Sequence, residues 1–318
     1  MPETIPQLNM LIPLYNEEDV FEELMRRLTA VMDASKLSIS VIMVDDGSRD
    51  QTSILMKRQS LADARFTSVF LSRNFGHQLA LTAGLSYVNA SEAVLILDGD
   101  LQDPPELVEE FYEQYKLGYD VVYAVRKTRK ENALKKLTYK TFYWLLKKIS
   151  YLDIPLDSGD FSMVSRRVVD EMNQMGEQSR FLRGMRSWIG YQQIGVPYDR
   201  DERQAGAPKY TIGKLIELAF NGIFNFSFFP VKLITNVGLL TIVGSLIYLI
   251  MTLVKKYAFG QVPEGFTAII TVIILFGGVQ LVSIGILGEY IIRIFFQVKN
   301  RPLFIVKNII HQQQITDG

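Results

Sequence analysis

The sequence predicts an α/β fold with a mostly parallel central sheet, followed by a C-terminal hairpin of two transmembrane helices. Three observations carry this expectation. Short apolar runs that stop at polar, acidic loops alternate with segments of helical spacing, the order expected of strands joined by crossover helices. The run Ala93–Leu97 lacks polar alternation, as a strand buried on both faces does. Residues 233–254 and 266–287 carry no charge and are each about 22 residues long, enough to cross a hydrocarbon core of about 30 Å.

Leu8–Leu14 is the first strand and ends in Pro13-Leu14-Tyr15-Asn16-Glu17-Glu18. Asp19–Asp33 follows as a helix, with Val20, Leu24, Leu28 and Val31 on one stripe. Ser38–Val44 is a strand that runs into Asp45-Asp46-Gly47-Ser48-Arg49-Asp50-Gln51-Thr52, and Ser53–Ala64 is the next helix. Thr67–Leu71, the loop Ser72-Arg73-Asn74-Phe75-Gly76-His77 and the helix Gln78–Val88 repeat the pattern. Ala93–Leu97 stops at Asp98-Gly99-Asp100, where the glycine permits a sharp turn and keeps bulk away from a ligand. Asp103-Pro104-Pro105-Glu106 reads as a helix start with Asp103 as its cap.

Parallel strands put all these loops on one edge, where open α/β sheets bind ligands. That edge collects Asn16, Glu17, Asp45, Asp46, Arg73, Asn74, Asp98 and Asp100. A single Asp-Gly turn is commonplace, but the convergence of so many polar side chains marks a site. Asp98 and Asp100 are hard-oxygen ligands suited to Mg²⁺ or Mn²⁺, which bind one or two carboxylates together with substrate phosphates. No G-x-G-x-x-G follows the first strand and no G-x-x-x-x-G-K-[ST] occurs, so phosphates must be held by metal and basic side chains.

Tyr119–Val125 is a further strand, followed by the basic loop Arg126–Lys130. Ala133–Ile149 is a lysine-rich amphipathic helix, compatible with a membrane surface or with solvent over a core-facing stripe. Asp157-Ser158-Gly159-Asp160-Phe161 is another acid–glycine–acid cluster, and a helix at Arg166–Met175 and a short strand at Ile194–Tyr198 come after it. Arg203–Tyr210 is a basic, Gly/Pro-containing loop that fits either closure over an anionic ligand or a linker.

Composition narrows the classes. Net charge is zero over 318 residues, which leaves no global field for nucleic acid. The absence of cysteine excludes disulfides, thiolate zinc and cysteine nucleophiles, and two histidines make a histidine-rich metal site a poor fit. Met1–Gln7 is too short and polar for a secretory signal. Thr211–Phe229 is expected to be an interfacial helix that delivers the first 210 residues to the bilayer. Lys209, Lys214 and Lys232 precede the first span and Arg293, Lys299, Arg301 and Lys307 follow the second, against only Lys255 and Lys256 between them. That bias puts both termini in the cytoplasm and 293–318 in a cytoplasmic tail. Glu289 and Arg293 are spaced to pair on the second helix. The spans contain no clean GxxxG pair; a homo-oligomer is compatible with the sequence but not specified by it.

These motifs, from Pro13–Glu18 through Val44–Thr52, Arg73–His77, Asp98–Pro105 and Asp157–Phe161 to Arg203–Tyr210, resemble family 2 glycosyltransferases of the GT-A fold. The likeness is to the polyprenyl-phosphate branch, which includes dolichol-phosphate mannose synthases and bacterial bactoprenol glucosyltransferases of the Gtr type. It spans most of residues 8–210, and the two-helix tail fits the bacterial members. Two departures are His77, where Lys or Arg is common, and Ala207-Pro208, in place of an acidic-Ser pair. The resemblance implies a donor pocket lined by Pro13, Tyr15, Asn16, Glu17 and Asp46, with Asp98 and Asp100 holding Mg²⁺ or Mn²⁺ and the sugar diphosphate, and Gln102 at the sugar. Arg203 and Lys209 would neutralise phosphates, and Asp157 would be a base or position the acceptor. The implied reaction is metal-dependent, inverting transfer of a hexose, first of all glucose from UDP-glucose, to polyprenyl (undecaprenyl) phosphate at the bacterial inner membrane. A processive polysaccharide synthase is the rival enzyme, but Arg186-Ser187-Trp188 only echoes its Gln-x-x-Arg-Trp motif and two spans form no polymer channel. The rival without chemistry is a nucleotide-sugar-binding subunit of a lipid flippase.

Overall fold

The computed structural model describes residues 5–126, 158–199, 229–259 and 265–317. They form two units, one comprising residues 5–126, 158–199 and 302–317, the other 229–259 and 265–301.

In the first unit the chain runs β1 (Leu8–Leu14), α1 (Glu18–Ala34), β2 (Ile39–Asp45), α2 (Thr52–Ala62), β3 (Phe66–Leu71), α3 (His77–Ser86) and β4 (Ala93–Ile96). A 3₁₀ turn (Pro105–Leu107), α4 (Val108–Lys116), β5 (Val121–Arg126), β6 (Ser158–Ser165), α5 (Arg166–Gln174), α6 (Leu182–Ile189) and β7 (Gln193–Tyr198) follow. Two strands close the chain, β8 (Val306–His311) and β9 (Gln314–Asp317). All nine described strands form one sheet in the order β7-β5-β6-β4-β1-β2-β3-β8-β9. The run from β3 to β4 is parallel, as is β5 with β7, whereas β6 lies antiparallel between β4 and β5. The sheet is thus mixed, with its parallel character centred on the strands that carry the acidic loops.

The unalternated runs are explained by the core. Side chains of β1 point in turn to two faces: Leu8, Met10, Ile12 and Leu14 pack with α1 and α4, while Leu11 packs with α3, α5 and α6. Each face is covered by helices, so every second residue finds an apolar layer and none needs to be polar. Phe21, Leu24 and Leu28 of α1 are almost fully buried. Such side chains contribute about 1.5–3 kcal/mol each.

Two expectations change in this unit. Asp103 does not cap the following helix: no side-chain cap bond is made at the 3₁₀ turn or at α4, and the buried Asp103 carboxylate accepts from Tyr198 Oη at 2.9 Å. The expected tail is also not all tail. Residues 306–317 make a β-hairpin whose first strand pairs antiparallel with β3, burying Ile310 completely and setting His311 Nδ1 2.8 Å from Thr67 Oγ1.

The second unit holds α7 (Phe229–Phe259) and α8 (Phe266–Lys299), 31 and 34 residues long. At 1.5 Å per residue both exceed a hydrocarbon core of about 30 Å. Their apolar windows, Leu233–Ala258 and Leu275–Lys299, are not buried within the protein. Glu289 pairs with Arg293 at 2.9 Å, as the spacing predicted. The expected helices at 133–149 and 211–228 lie outside the described residues.

Candidate functional site

The C-terminal ends of β1, β2, β3 and β4 form the predicted edge. Its first part is a frame in which two loops are bonded to each other. Asn16 takes a left-handed turn (φ 53°), donates its N–H to Ser48 Oγ at 3.1 Å and accepts the Arg49 N–H on Oδ1 at 2.8 Å. Glu17 N–H donates to Thr52 Oγ1 at 2.9 Å. Glu18 accepts the Gln51 N–H, and Asp50 accepts the Glu18 N–H. Asp45 caps the same loop, accepting from Ser48 N–H and Ser53 Oγ.

Asp46 carries the frame to the third loop. Its two oxygens accept the backbone N–H groups of Phe75 and Gly76 at 2.7 and 2.9 Å. Burial raises its pKa above the usual aspartate range, against the pull of these two bonds. Gly47 sits so close behind this loop that a Cβ would lie 2.5 Å from the Arg73 carbonyl carbon, and its φ of +69° favours glycine independently. Arg73 reaches outward and stacks 4.0 Å over the Phe75 ring.

The second part is the turn after β4. Gly99 packs under the end of β1, where a Cβ would come within 2.4 Å of Leu14 Cδ2. Asp98 and Asp100 flank it, both half-buried. Asp100 Oδ1 accepts the Gln102 N–H at 3.2 Å, closing an Asx turn over Leu101, which is buried in a left-handed conformation (φ 62°). Arg27 forks onto Glu106 at 2.6 and 2.9 Å and reaches the Leu101 carbonyl, bracing the turn from below. Pro13 is buried at the end of β1, and Tyr15, Glu17 and Gln102 are half-buried around the edge.

The third part was only half visible in the sequence. From the Asp157–Phe161 cluster the resemblance singles out Asp157, which lies outside the described residues, as do Arg203 and Lys209. The residue brought to the edge is Asp160. Its carboxylate accepts from His77 Nε2 at 3.3 Å and Gln78 Nε2 at 3.1 Å, and pairs with Arg183 Nε at 3.1 Å. His77 Nε2 is also 3.6 Å from Asp98 Oδ1. Arg186, 4% exposed, donates to Ser162 Oγ and to the Gly159 carbonyl. Burial works against charge on Asp160, but Arg183, the bond from His77 and Arg186 hold its pKa well below the aspartate range. Burial also opposes charge on His77, yet Asp160 and Asp98 outweigh it and raise the imidazole to about 9. The signal for this network was the spacing of Arg183 and Arg186, three apart on one face of α6 behind an acidic strand.

Among the described residues no group of three or more His, Cys, Asp or Glu side chains is arranged to hold a metal. A protein-only cage is therefore not what this edge offers. The Asp98/Asp100 pair fits the other arrangement, in which a hard divalent cation keeps one or two carboxylates and takes its remaining ligands from substrate phosphates and water. Gly99 is the cradle that keeps side-chain bulk out of that turn.

Fold and edge together define a glycosyltransferase of the nucleotide-sugar type: a half-parallel sheet with an Asp-Gly-Asp turn at the ligand-binding edge, joined to a two-helix hairpin. The chain belongs to glycosyl transferase family 2, whose model matches residues 10–172, and residues 229–294 match the GtrB C-terminal hairpin. It is 43% identical over 302 residues to the uncharacterized glycosyltransferase YkcC of Bacillus subtilis, covering 95% of this chain and 93% of that protein. It is 35% identical over 302 residues to the SfII prophage-derived bactoprenol glucosyl transferase of Shigella flexneri, with 95% and 97% covered. Among solved structures, the mannosyltransferase PcManGT of Pyrobaculum calidifontis, in complex with GDP-Man and Mn²⁺, matches with a TM-score of 0.45 at 20% identity, over 67% of this chain and 61% of that one. The chain is thus a hexosyltransferase and a membrane protein, with the GT-A fold expected of its family.

Proposed function

We propose that this protein transfers glucose from UDP-glucose to a polyprenyl phosphate on the cytoplasmic face of the membrane, in one inverting displacement that needs Mg²⁺ or Mn²⁺. The observation that carries the reading is the Asp98-Gly99-Asp100 turn at the ligand-binding edge of a chain that continues into a GtrB-type hairpin. Relatives named bactoprenol glucosyl transferase, at 33–35% identity over nearly the whole chain, supply the sugar and the lipid.

In this reading Pro13, Tyr15, Asn16, Glu17 and Asp46 shape the nucleotide end of the donor pocket, and Gln102 faces the sugar. Asp98 and Asp100 hold the divalent cation against the donor diphosphate, where the bound cation neutralises charge that develops on the leaving oxygens. Arg203 and Lys209 offset the phosphate charge of donor and acceptor. The nucleophile is a phosphate-monoester oxygen, with a second pKa of about 6, so it arrives largely anionic and asks little of a base. Asp157 then positions the acceptor more than it removes a proton. One displacement at the anomeric carbon converts an α-linked donor to a β-linked lipid phosphate.

Chain continuity supports the sidedness. Two crossings return the chain to the side it left, and Val306–His311, beyond the second helix, pairs with Phe66–Leu71. One compartment therefore holds the whole sheet, and the lysine and arginine bias assigns it to the cytoplasm. The test incubates membranes containing the protein with labelled nucleotide sugars and polyprenyl phosphate, with and without EDTA. Label from UDP-glucose moving into the organic phase only when metal is present is the expected result. Water-soluble polymer, or donor hydrolysis alone, would replace this reading with another.

A further inference from the structure

We propose that His77 is a positioning residue for the Asp98 carboxylate, and that Asp160 is what positions His77. The inference rests on Asp98 being a ligand of the divalent cation. Asp98 lies just past β4 with its side chain 33% exposed. One ring nitrogen of His77 lies between this carboxylate and Asp160, at 3.6 and 3.3 Å. The ring cannot drift, because Asp160 is itself held from behind. Gln78 Nε2 and Arg183 Nε meet its carboxylate, each at 3.1 Å, and Gln78 Oε1 accepts the Leu182 N–H at 3.0 Å. Arg186 fixes the strand on either side of Asp160 through the Gly159 carbonyl and Ser162 Oγ. Three elements, α3, β6 and α6, thus converge on one imidazole, which meets Asp98 on its β4-turn side. Without His77, the braced contact that reaches Asp98 from the Asp160 side is lost. Groups that orient a ligating carboxylate from outside typically matter by about 10–100-fold in metal affinity.

The test measures Mn²⁺ binding to the detergent-solubilised full chain by the electron paramagnetic resonance signal of free Mn²⁺, with UDP and, in parallel, GDP present. His77→Ala should weaken binding by about 10–100-fold. His77→Gln, which returns an N–H donor, should bind more tightly than His77→Ala. Asp160→Asn should weaken binding in the same direction, and adding it to His77→Ala should cost nothing further, because both act through one contact. Should Asp160→Asn not fold, the alanine and glutamine variants still decide. Unchanged or tighter Mn²⁺ binding in His77→Ala, or no gain from glutamine, overturns the proposal while Asp98→Asn still abolishes binding. If Asp98→Asn binds like the wild type, or the wild type binds no Mn²⁺, the metal assignment itself fails and takes this inference with it.

Discussion

Two pairs of aspartates end neighbouring regions of the same sheet, and they differ in almost everything but composition. Asp45 and Asp46, after β2, are each 3% exposed, and their oxygens are spent on the protein's own backbone and hydroxyl groups. Asp98 and Asp100, after β4, are half-buried around a glycine that packs against the end of β1. The first pair ties the frame together, and the second is the pair that we assign to the divalent cation. A carboxylate's position at a ligand-binding edge is therefore not enough to assign it. What separates the two pairs is burial: the first is closed off from solvent and the second reaches it.

The comparison is broken most severely at the exposed pair. Asp100→Ala should lower transfer by about a thousandfold or more, roughly 4 kcal/mol of transition-state stabilisation. The folded protein should tolerate the change, which removes the one Asx-turn hydrogen bond to Gln102 N–H at about 0.5–1.5 kcal/mol. Turnover measured beside the thermal midpoint checks both halves, and wild-type rates would remove Asp100 from the metal site. Gly47→Ala makes the opposite kind of damage. It forces a left-handed backbone on alanine, at about 1–2 kcal/mol, and drives a methyl group into the Arg73–Asn74 backbone. Backbone cannot rotate aside as a side chain can, so overpacking adds about 1–3 kcal/mol. The expected result is a lowered unfolding midpoint with activity falling in proportion to folded protein.

Asp46→Ala sharpens the distinction. It strands two N–H groups, Phe75 and Gly76, at about 1–3 kcal/mol if water cannot reach them. If Asp46 serves the frame alone, stability falls and the donor KM of the folded enzyme is unchanged. If it also contacts the nucleotide, as the donor-pocket assignment holds, KM for the donor rises in Asp46→Asn even where stability is largely kept. Donor saturation curves on the two variants separate these outcomes.

Much of this was legible in the chain. Leu8–Leu14, Ile39–Asp45 and Phe66–Leu71 announce themselves because burial on both faces keeps them mostly apolar, with the few polar residues not in alternation, and their parallel order puts the acidic loops on one edge. The Asp-Gly-Asp turn was legible because only local chemistry is needed to recognise it. What escaped depended on contacts between distant residues. Asp103 looks like a cap in sequence, but Tyr198, ninety-five residues on, claims its carboxylate. Residues 306–317 look like a polar tail because β8 and β9 sit at the sheet margin, where only Ile310 is fully buried. Asp160 is given no role by the sequence because nothing local shows that His77 and Arg183 reach its carboxylate or that Arg186 bonds the neighbouring Gly159 carbonyl.

That convergence has a smaller, pH-dependent signature. Asp160 takes its proton in the unfolded chain near the ordinary value of 3.8, whereas burial, overcome by Arg183, His77 and Arg186, leaves its folded pKa lower. A depressed carboxylate contributes its stability in full above the unfolded value and loses it as pH falls through the folded one. The unfolding midpoint of the full chain should therefore drop below about pH 4, and part of that drop should vanish in Asp160→Asn, which has no carboxylate left to protonate. The variant is expected to start lower, since removing one partner of a buried ionic cluster leaves Arg183 and Arg186 uncompensated. Its curve should be the flatter of the two, and the two should converge in acid. Parallel curves would mean that Asp160 carries no net charge-dependent stabilisation, and the network would then hold its shape by hydrogen bonding alone.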